Sequence, residues 1–472
     1  MKLVLNNIED IYESENLVRL FFPGVNFKED DGDYAVFSKS GNEVLAKVCY
    51  KGKVAEIKRN ASDFWETFAV LFSALSDVTG RDIPWGMLTG VRPIKLVLDL
   101  INKGFSKKEV LKTLETKYKL SPQKARLSYL TALSEKKILS ETDEKSISIY
   151  AGIPFCPTRC NYCSFVCEGV EKHRDLVPKY VSLLSEEIKL SAEIARNLGY
   201  KVETIYVGGG TPTVLSEDEL YMLLSSINSA FDKSCLKEFT VEAGRPDTIT
   251  EGKLSVLKDM GVGRISINPQ TLNDDILKDI GRHHTVKQFY DSFLLADKMK
   301  FFDINIDLIA GLPKESDASF ENTIKETVKL SPANITLHTL TLKRSADMYL
   351  EKDLYETYQK VSARVLWADE YIMGNGYSPY YLYRQKNTIG GLENTGFSLP
   401  NKEGLYNVFI MDESQSILAC GAGASSKAVG KGGKIVRSFN YKYPLEYIRG
   451  FSDIIERKKK FQKELNLSLQ TE

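Results

Sequence analysis

Over the first stretch of the chain, apolar and polar positions alternate in short runs. Residues 16–22, 34–38, 44–50 and 54–59 read as strands divided by turn residues such as Asp30-Asp31-Gly32 and Lys51-Gly52, which predicts a small antiparallel sheet. Helical spacing follows. Ser62 is placed to cap a helix reaching residue 76, Ser106-Lys-Lys-Glu109 has the form of a capping box, and Ser121-Pro122 puts proline in a first helical turn. Between the first two, Pro84-Trp-Gly-Met-Leu-Thr-Gly-Val-Arg-Pro93 is punctuated as a loop, with Arg92 either an anion contact or a surface charge.

From about residue 145 the period changes to strand, turn and helix, repeated. Strands are expected at 147–155, 203–207, 238–243, 264–268, 303–309 and 334–342. Pro178 opens an intervening helix whose Val181, Leu184, Ile188, Ala195 and Leu198 share a face before Gly199 ends it. Ser216-Glu-Asp-Glu219 is a second capping box, and further helices are expected over 250–260, 286–299 and 320–330. Successive β-α units call for right-handed crossovers and a parallel sheet, either open or curved into most of a barrel. Beyond it come a helix-rich segment over 346–372 and an aromatic stretch at 376–384. A tight turn is expected at Gly421-Ala-Gly-Ala-Ser-Ser426, and the run Arg457–Lys460 is expected on a solvated helix face. The expected fold class is α/β, with an α+β domain over 1–140, a six-unit core over 145–345 and a helix-rich domain over 346–472.

Composition narrows the classes of function. The 472 residues suit about three domains of about 150 residues each. Lys and Arg number 63 against 63 Asp and Glu, so no global charge calls for nucleic acid or an anionic membrane. Acidic residues come too early for a signal peptide, and no run of about 20 apolar residues offers a membrane span. Seven cysteines without an export signal suggest a reduced compartment, the cytoplasm. Four histidines leave little for a histidine-rich metal centre.

Three of the cysteines, Cys156, Cys160 and Cys163, stand in C-x3-C-x2-C directly after the first core strand. Three thiolates can hold three corners of a 4Fe–4S cluster and leave the fourth iron open to a small molecule. A structural zinc site with Cys167 as fourth ligand is the alternative. Zinc sites of this kind pair C-x2-C units, and Cys49, Cys235 and Cys420 are isolated. Other unusual residues also fall where strands are expected to end: Gly208-Gly-Gly-Thr-Pro-Thr213, Glu242, Pro269-Gln270, Asp307 and Thr339 with Thr341. Polar groups gathered at the carboxyl ends of parallel strands build active sites in β-α proteins. The glycines bring backbone close to a ligand, Glu242 and Asp307 can accept from an amine or hydroxyl, and Arg282 can pair with a carboxylate.

The cysteine spacing followed by GGGTPT resembles the radical S-adenosylmethionine (SAM) superfamily. YAGIPFC (150–156), VEAGRPD (241–247), SINPQT (266–271), IGRHHT (280–285) and DLIAGLP (307–313) resemble its oxygen-independent coproporphyrinogen III dehydrogenase family, and PWGMLTGVRP (84–93) with VEAGRPD its HemZ-like branch. The resemblance implies a partial (β/α)6 barrel, a 4Fe–4S cluster on Cys156, Cys160 and Cys163, and SAM chelating the open iron. The positions that match the family's SAM contacts are Tyr150, Tyr162, Gly209, Gly210, Thr211, Glu242, Gln270, Arg282, Asp307 and Thr341. It further implies oxidative decarboxylation of coproporphyrinogen III to protoporphyrinogen IX, with a low-potential donor such as flavodoxin or ferredoxin. Arg92, Arg159, Arg245, Lys343, Arg344 and Arg384 are clamp candidates for the substrate carboxylates, chosen by charge and location. One position departs: the family's best-known dehydrogenases carry cysteine two residues past the third ligand, where this chain has Phe165. Related haem chaperones also carry an aromatic there, so a haem carrier, or another radical reaction on a tetrapyrrole, stands as the alternative.

Overall fold

A computed structural model describes the chain except residues 29–31, 91, 164, 342–353, 386–387, 431–432 and 471–472. The clamp candidates Lys343 and Arg344 lie outside the described residues. The chain forms two compact units: Met1–Leu133 with Tyr349–Glu370 and Leu382–Asn394, and Ser134–Met348 with Tyr371–Tyr381 and Thr395–Glu472.

In the first unit, β1 (Lys2–Asn6), β2 (Tyr34–Ser40), β3 (Glu43–Tyr50) and β4 (Lys53–Asn60) form a sheet in that order. The β1–β2 pair is parallel and the others antiparallel. Residues 16–22, read above as a strand, lie in the helix Ile11–Phe21. Ser14, Leu17, Val18 and Phe21 are its buried face, a spacing that satisfies a helix as well as a short apolar strand. The helix Phe64–Thr79 starts one residue later than expected. Asp63 is its cap, and the Ser62 hydroxyl donates instead to Glu66 Oε2 at 2.7 Å. The expected capping box at Ser106 and Glu109 is formed.

One charged knot crosses this unit. Lys124 has no exposed surface; its Nζ donates to Asp369 Oδ2 at 2.8 Å and to Glu393 Oε1. Trp85 Nε1 donates to the other oxygen of Glu393 at 2.5 Å. Arg384 stacks over the Trp85 ring at 5.3 Å and donates to Gly391 O and Leu88 O. That leaves Arg384 buried and bonded, which removes it from the clamp candidates.

The second unit carries β5 (Ser146–Ile153), a pair formed by β6 (Phe155–Cys156) and β7 (Glu168–Gly169), and then β8 (Lys201–Gly209), β9 (Glu238–Glu242), β10 (Arg264–Ser266), β11 (Asp303–Ala310) and β12 (Asn334–Thr339). The chain then forms β13 (Ser378–Arg384) and β14 (Glu393–Ser398), each partly in the first unit's segment Leu382–Asn394, and in the second unit β15 (Ser416–Cys420), β16 (Ser425–Val429) and β17 (Ile435–Phe439). The large sheet runs β13-β14-β12-β11-β10-β9-β8-β5-β15-β16-β17. The six core strands pair in parallel, in chain order, as the β-α periodicity predicts. They continue into the C-terminal segment at both ends: β15 is a seventh parallel strand beside β5, and β14 runs antiparallel to β12.

The helix Val177–Asn197 lays Tyr180, Leu184, Ile188 and Ala195 into the core. Its Glu187 is fully buried and accepts from Gly421 N, Asn440 Nδ2 and Tyr447 OH, each at 2.8 Å. Lys458 pairs with the same carboxylate at 2.8 Å. The run 457–460 is therefore not wholly solvated, because Lys458 is the counter-charge of an interior glutamate. Among the described residues no helix is long and apolar enough to cross a membrane.

Candidate active site

The cysteine loop is fixed from both ends. β6 and β7 pair Phe155 with Glu168 and Cys156 with Gly169, so the chain returns alongside its starting point and brings Cys167 with it. At the far side Asn161 N donates to Ile280 O and Asn161 Nδ2 to Asp279 O, both at 3.0 Å. Arg245, paired with Asp247 at 3.0 Å, donates to Thr158 O at 3.2 Å and to Thr158 Oγ1 at 3.1 Å. Arg245 is thus a buried brace of the loop and not a substrate clamp. Of the remaining clamp candidates, Arg159 is exposed on the loop, and Arg92 lines an apolar recess of the first unit with Phe64, Trp65 and Leu96.

All four loop cysteines are free; Cys160 is buried and the other three half-buried. The Cys167 thiol, overcoming burial, holds Cys156 below the ordinary thiol range and Cys163 down to about 6. These are thiols ready to act as thiolate ligands. Among the described residues no group of three or more Cys, His, Asp or Glu is drawn tightly enough to hold a single metal ion. A 4Fe–4S cluster, with its own irons and sulfides between them, needs its thiolates spread around a cube.

The glycine run after β8 packs on this loop. A Cβ on Gly210 would stand 2.5 Å from Phe155 O and 2.9 Å from Cys156 Sγ. Gly209 has φ +110°, and a Cβ there would stand 2.9 Å from Ile153 O. Gly210 N donates to Ile153 O at 2.7 Å and Thr211 N to Phe155 O at 2.8 Å. The first task of these glycines is to let β8 pass hard against the cysteine strand; the amides of Gly210 and Thr211 serve the chain itself. The Thr211 hydroxyl faces Cys156 Sγ at 3.5 Å.

The polar residues of the next strands gather around the same end of the sheet. Glu242 accepts from Tyr206 OH at 2.6 Å on one oxygen and from Gly209 N at 3.2 Å on the other. Burial raises its carboxyl to about 7, against those two hydrogen bonds. Asp307 accepts from Asn268 Nδ2 at 2.7 Å and Asn305 Nδ2 at 2.8 Å, with His338 Nε2 at 3.9 Å. Burial pushes that carboxyl up, but the neighbouring His338, with the hydrogen bond from Asn305, outweighs it and holds Asp307 below the usual range. Gln270 sits at φ +72° between β10 and β11; its amide donates to Asp307 O at 3.1 Å. Its buried side-chain oxygen has no partner among the described residues, which is how a group waiting for a ligand donor looks.

Arg282 ties loop to strands: Nε donates to Tyr162 OH at 3.1 Å and Nη1 to the carbonyls of Asn268 and Gly244. Tyr150 stacks near Tyr206 at 6.3 Å. Thr341 lies two residues past β12, its hydroxyl 3.5 Å from Thr339 O. Tyr206, Asn268 and Asn305 complete the site without having been singled out for it, and Arg245, singled out as a clamp, serves it as a brace. Asn305 was readable, since strand residues two apart share a face with Asp307.

A profile described as the radical SAM superfamily matches residues 150–327. Over 408 residues, 84% of this chain and 80% of the relative, the sequence is 39% identical to the oxygen-independent coproporphyrinogen-III oxidase-like protein HemZ of Bacillus subtilis. The chain belongs to the radical SAM superfamily, in its HemZ-like branch. A second relative, the heme chaperone HemW of Lactococcus lactis, is 33% identical over 61% of this chain and 71% of its own length. The solved structure of the Escherichia coli coproporphyrinogen III oxidase HemN, described as a radical SAM enzyme, shares the fold at TM-score 0.50. It is 21% identical, over 69% of this chain and 73% of that one. The cofactors of the superfamily are a 4Fe–4S cluster and SAM. The free thiols, the close-packed glycines and the unpartnered Gln270 oxygen fit both.

Proposed function

We propose that this HemZ-like protein carries out oxidative decarboxylation of two coproporphyrinogen III propionates, giving the vinyl groups of protoporphyrinogen IX. The observation that carries the proposal is the 39% identity to an oxidase-like relative over 84% of the chain, supported by hydrogen-bonded polar side chains at the strand ends. Cys156, Cys160 and Cys163 would hold the cluster. Tyr150, Tyr162, Gly209, Gly210, Thr211, Glu242, Gln270, Arg282, Asp307 and Thr341 would hold SAM. When bound, the two cofactors supply one-electron cleavage chemistry that yields a hydrogen-abstracting organic radical. The chain's own contribution is placement. Glu242 and Asp307 would accept from ligand N–H and O–H groups, and Arg282 keeps its positive charge beside Tyr162 and Cys160. Arg159, exposed on the cysteine loop, remains the carboxylate contact to test. The electron donor would be a low-potential flavodoxin or ferredoxin, and the place of work the cytoplasm.

The test is an anaerobic incubation of reconstituted protein with SAM, a strong reductant and coproporphyrinogen III, followed by mass spectrometry. Protoporphyrinogen IX is expected; SAM cleavage with the tetrapyrrole untouched would contradict the proposal. That second result would favour a haem carrier, to which Phe165, 63% exposed, and the 33% identity to a heme chaperone point. A haem titration then decides: a carrier shows a stoichiometric, stable Soret band.

Asp307→Asn gives a further check. The variant would turn a donor amide toward two others, Asn268 and Asn305, and remove a charged acceptor. SAM affinity is expected to fall by about ten- to a hundredfold, read by equilibrium dialysis, with cluster absorbance retained. Loss of the cluster to the same degree would assign Asp307 a structural role.

A further inference from the structure

Tyr206 belongs to none of the family-matched positions, yet it is built into the site as firmly as any of them. It precedes Gly208 by two residues on β8, so both face the same side of the sheet. A Cβ on Gly208 would stand 2.8 Å from the Tyr206 ring and 3.0 Å from the Glu242 carboxylate. Glycine there is what lets phenol and carboxylate meet at 2.6 Å. With Gly209 N on the other oxygen, each carboxylate oxygen has one fixed donor, which sets the plane of the group. The Tyr206 ring is itself held. Tyr406 stacks on it at 4.5 Å and 21°, and Tyr150 flanks it at 6.3 Å. Tyr406 comes from the helix Leu405–Asp412, outside the six-unit core, and that helix is pinned where Leu405 N donates to Glu238 Oε2 at 2.5 Å.

We infer that Tyr206 is a positioning residue for SAM: its hydroxyl holds the Glu242 carboxylate as a ready acceptor, and Tyr406 holds the Tyr206 ring from outside the six-unit core. The inference rests on the assignment of Glu242 to SAM made above. A carboxylate oriented by two donors keeps its remaining lone pairs for the ligand and needs no reorganisation on binding. The groups facing Glu242 are Tyr206 and Gly209 from β8, Asp307 from β11, Cys156 from the loop, and Tyr150 and Tyr406. Burial, Asp307 and Cys156 all favour its protonated form, and Tyr206 is the foremost opponent. In Tyr206→Phe the carboxyl therefore titrates higher than its native value of about 7. Binding that needs the carboxylate then fails from a higher pH downward.

The experiment is equilibrium dialysis of SAM against the cluster-loaded protein from pH 6 to 9. It uses the native chain, Tyr206→Phe, Tyr406→Leu and Glu242→Gln. Tyr206→Phe is expected to bind about tenfold more weakly at pH 7, with the gap narrowing toward pH 9 and the cluster absorbance unchanged. Tyr406→Leu is expected to show a smaller loss in the same direction. Native affinity and an unshifted pH profile in Tyr206→Phe would overturn the inference, and so would parallel loss of the cluster. Undiminished binding by Glu242→Gln, or no binding by the native chain, would instead strike the underlying assignment of Glu242.

Discussion

Cys160→Ser is expected to abolish the brown absorbance of the reconstituted protein and, with it, all SAM cleavage. Cys160 is the buried member of the three, it stands beside the Arg282 guanidinium, and its carbonyl anchors Cys163 N at 3.1 Å. A serine hydroxyl in that place is a hard, weakly acidic donor where iron–sulfur chemistry needs a thiolate. Cys167 lies just before the returning strand β7 and is the obvious rescuer. A cluster retained at full occupancy in Cys160→Ser but lost in the double variant with Cys167→Ser would show that the ligand set had been misassigned. Iron and sulfide analysis with the visible spectrum reads this directly.

Lys124→Met is expected to destabilise the protein by about 3–5 kcal/mol, the cost of leaving buried charge without its partner. Its ammonium is the shared counter-ion of Asp369 and Glu393, carboxylates from segments remote in sequence. Burial raises the Asp369 carboxyl to about 7 even with the lysine present. A carboxyl whose folded pKa lies above its unfolded value favours the fold at low pH, and that contribution is lost as pH rises through the folded value. In Lys124→Met both carboxyls move upward. The deficit should therefore be largest near pH 8 and shrink toward pH 5, in urea unfolding followed by circular dichroism. A loss that does not vary with pH would mean packing, not charge, sets the effect.

Local signals proved readable where one short-range force decides the outcome. The parallel order of the core strands follows from β-α periodicity, and the capping boxes at Ser106 and Ser216 from a hydroxyl and a carboxylate three residues apart. The same reasoning mistook residues 16–22 for a strand, because Leu17, Val18 and Phe21 satisfy either period over so short a run. Long-range pairings left no trace in the spacing. Lys458 looks like part of a solvated basic run until Glu187, far away in sequence, is found beneath it. Tyr406 carries no local mark of its place against Tyr206, and β15 none of its place beside β5. In the site the strand-end acids were legible as chemistry. Of the groups that orient them, Asn305 was readable on the strand of Asp307, but Asn268 and Tyr206 were not, because their roles exist only once neighbouring strands are in register.

The measurement that bears most directly on the whole account counts products in one anaerobic reaction. With SAM, reductant and coproporphyrinogen III supplied, 5′-deoxyadenosine and carbon dioxide should rise together, one of each per vinyl group formed. 5′-Deoxyadenosine appearing without carbon dioxide would contradict decarboxylation by this HemZ-like protein.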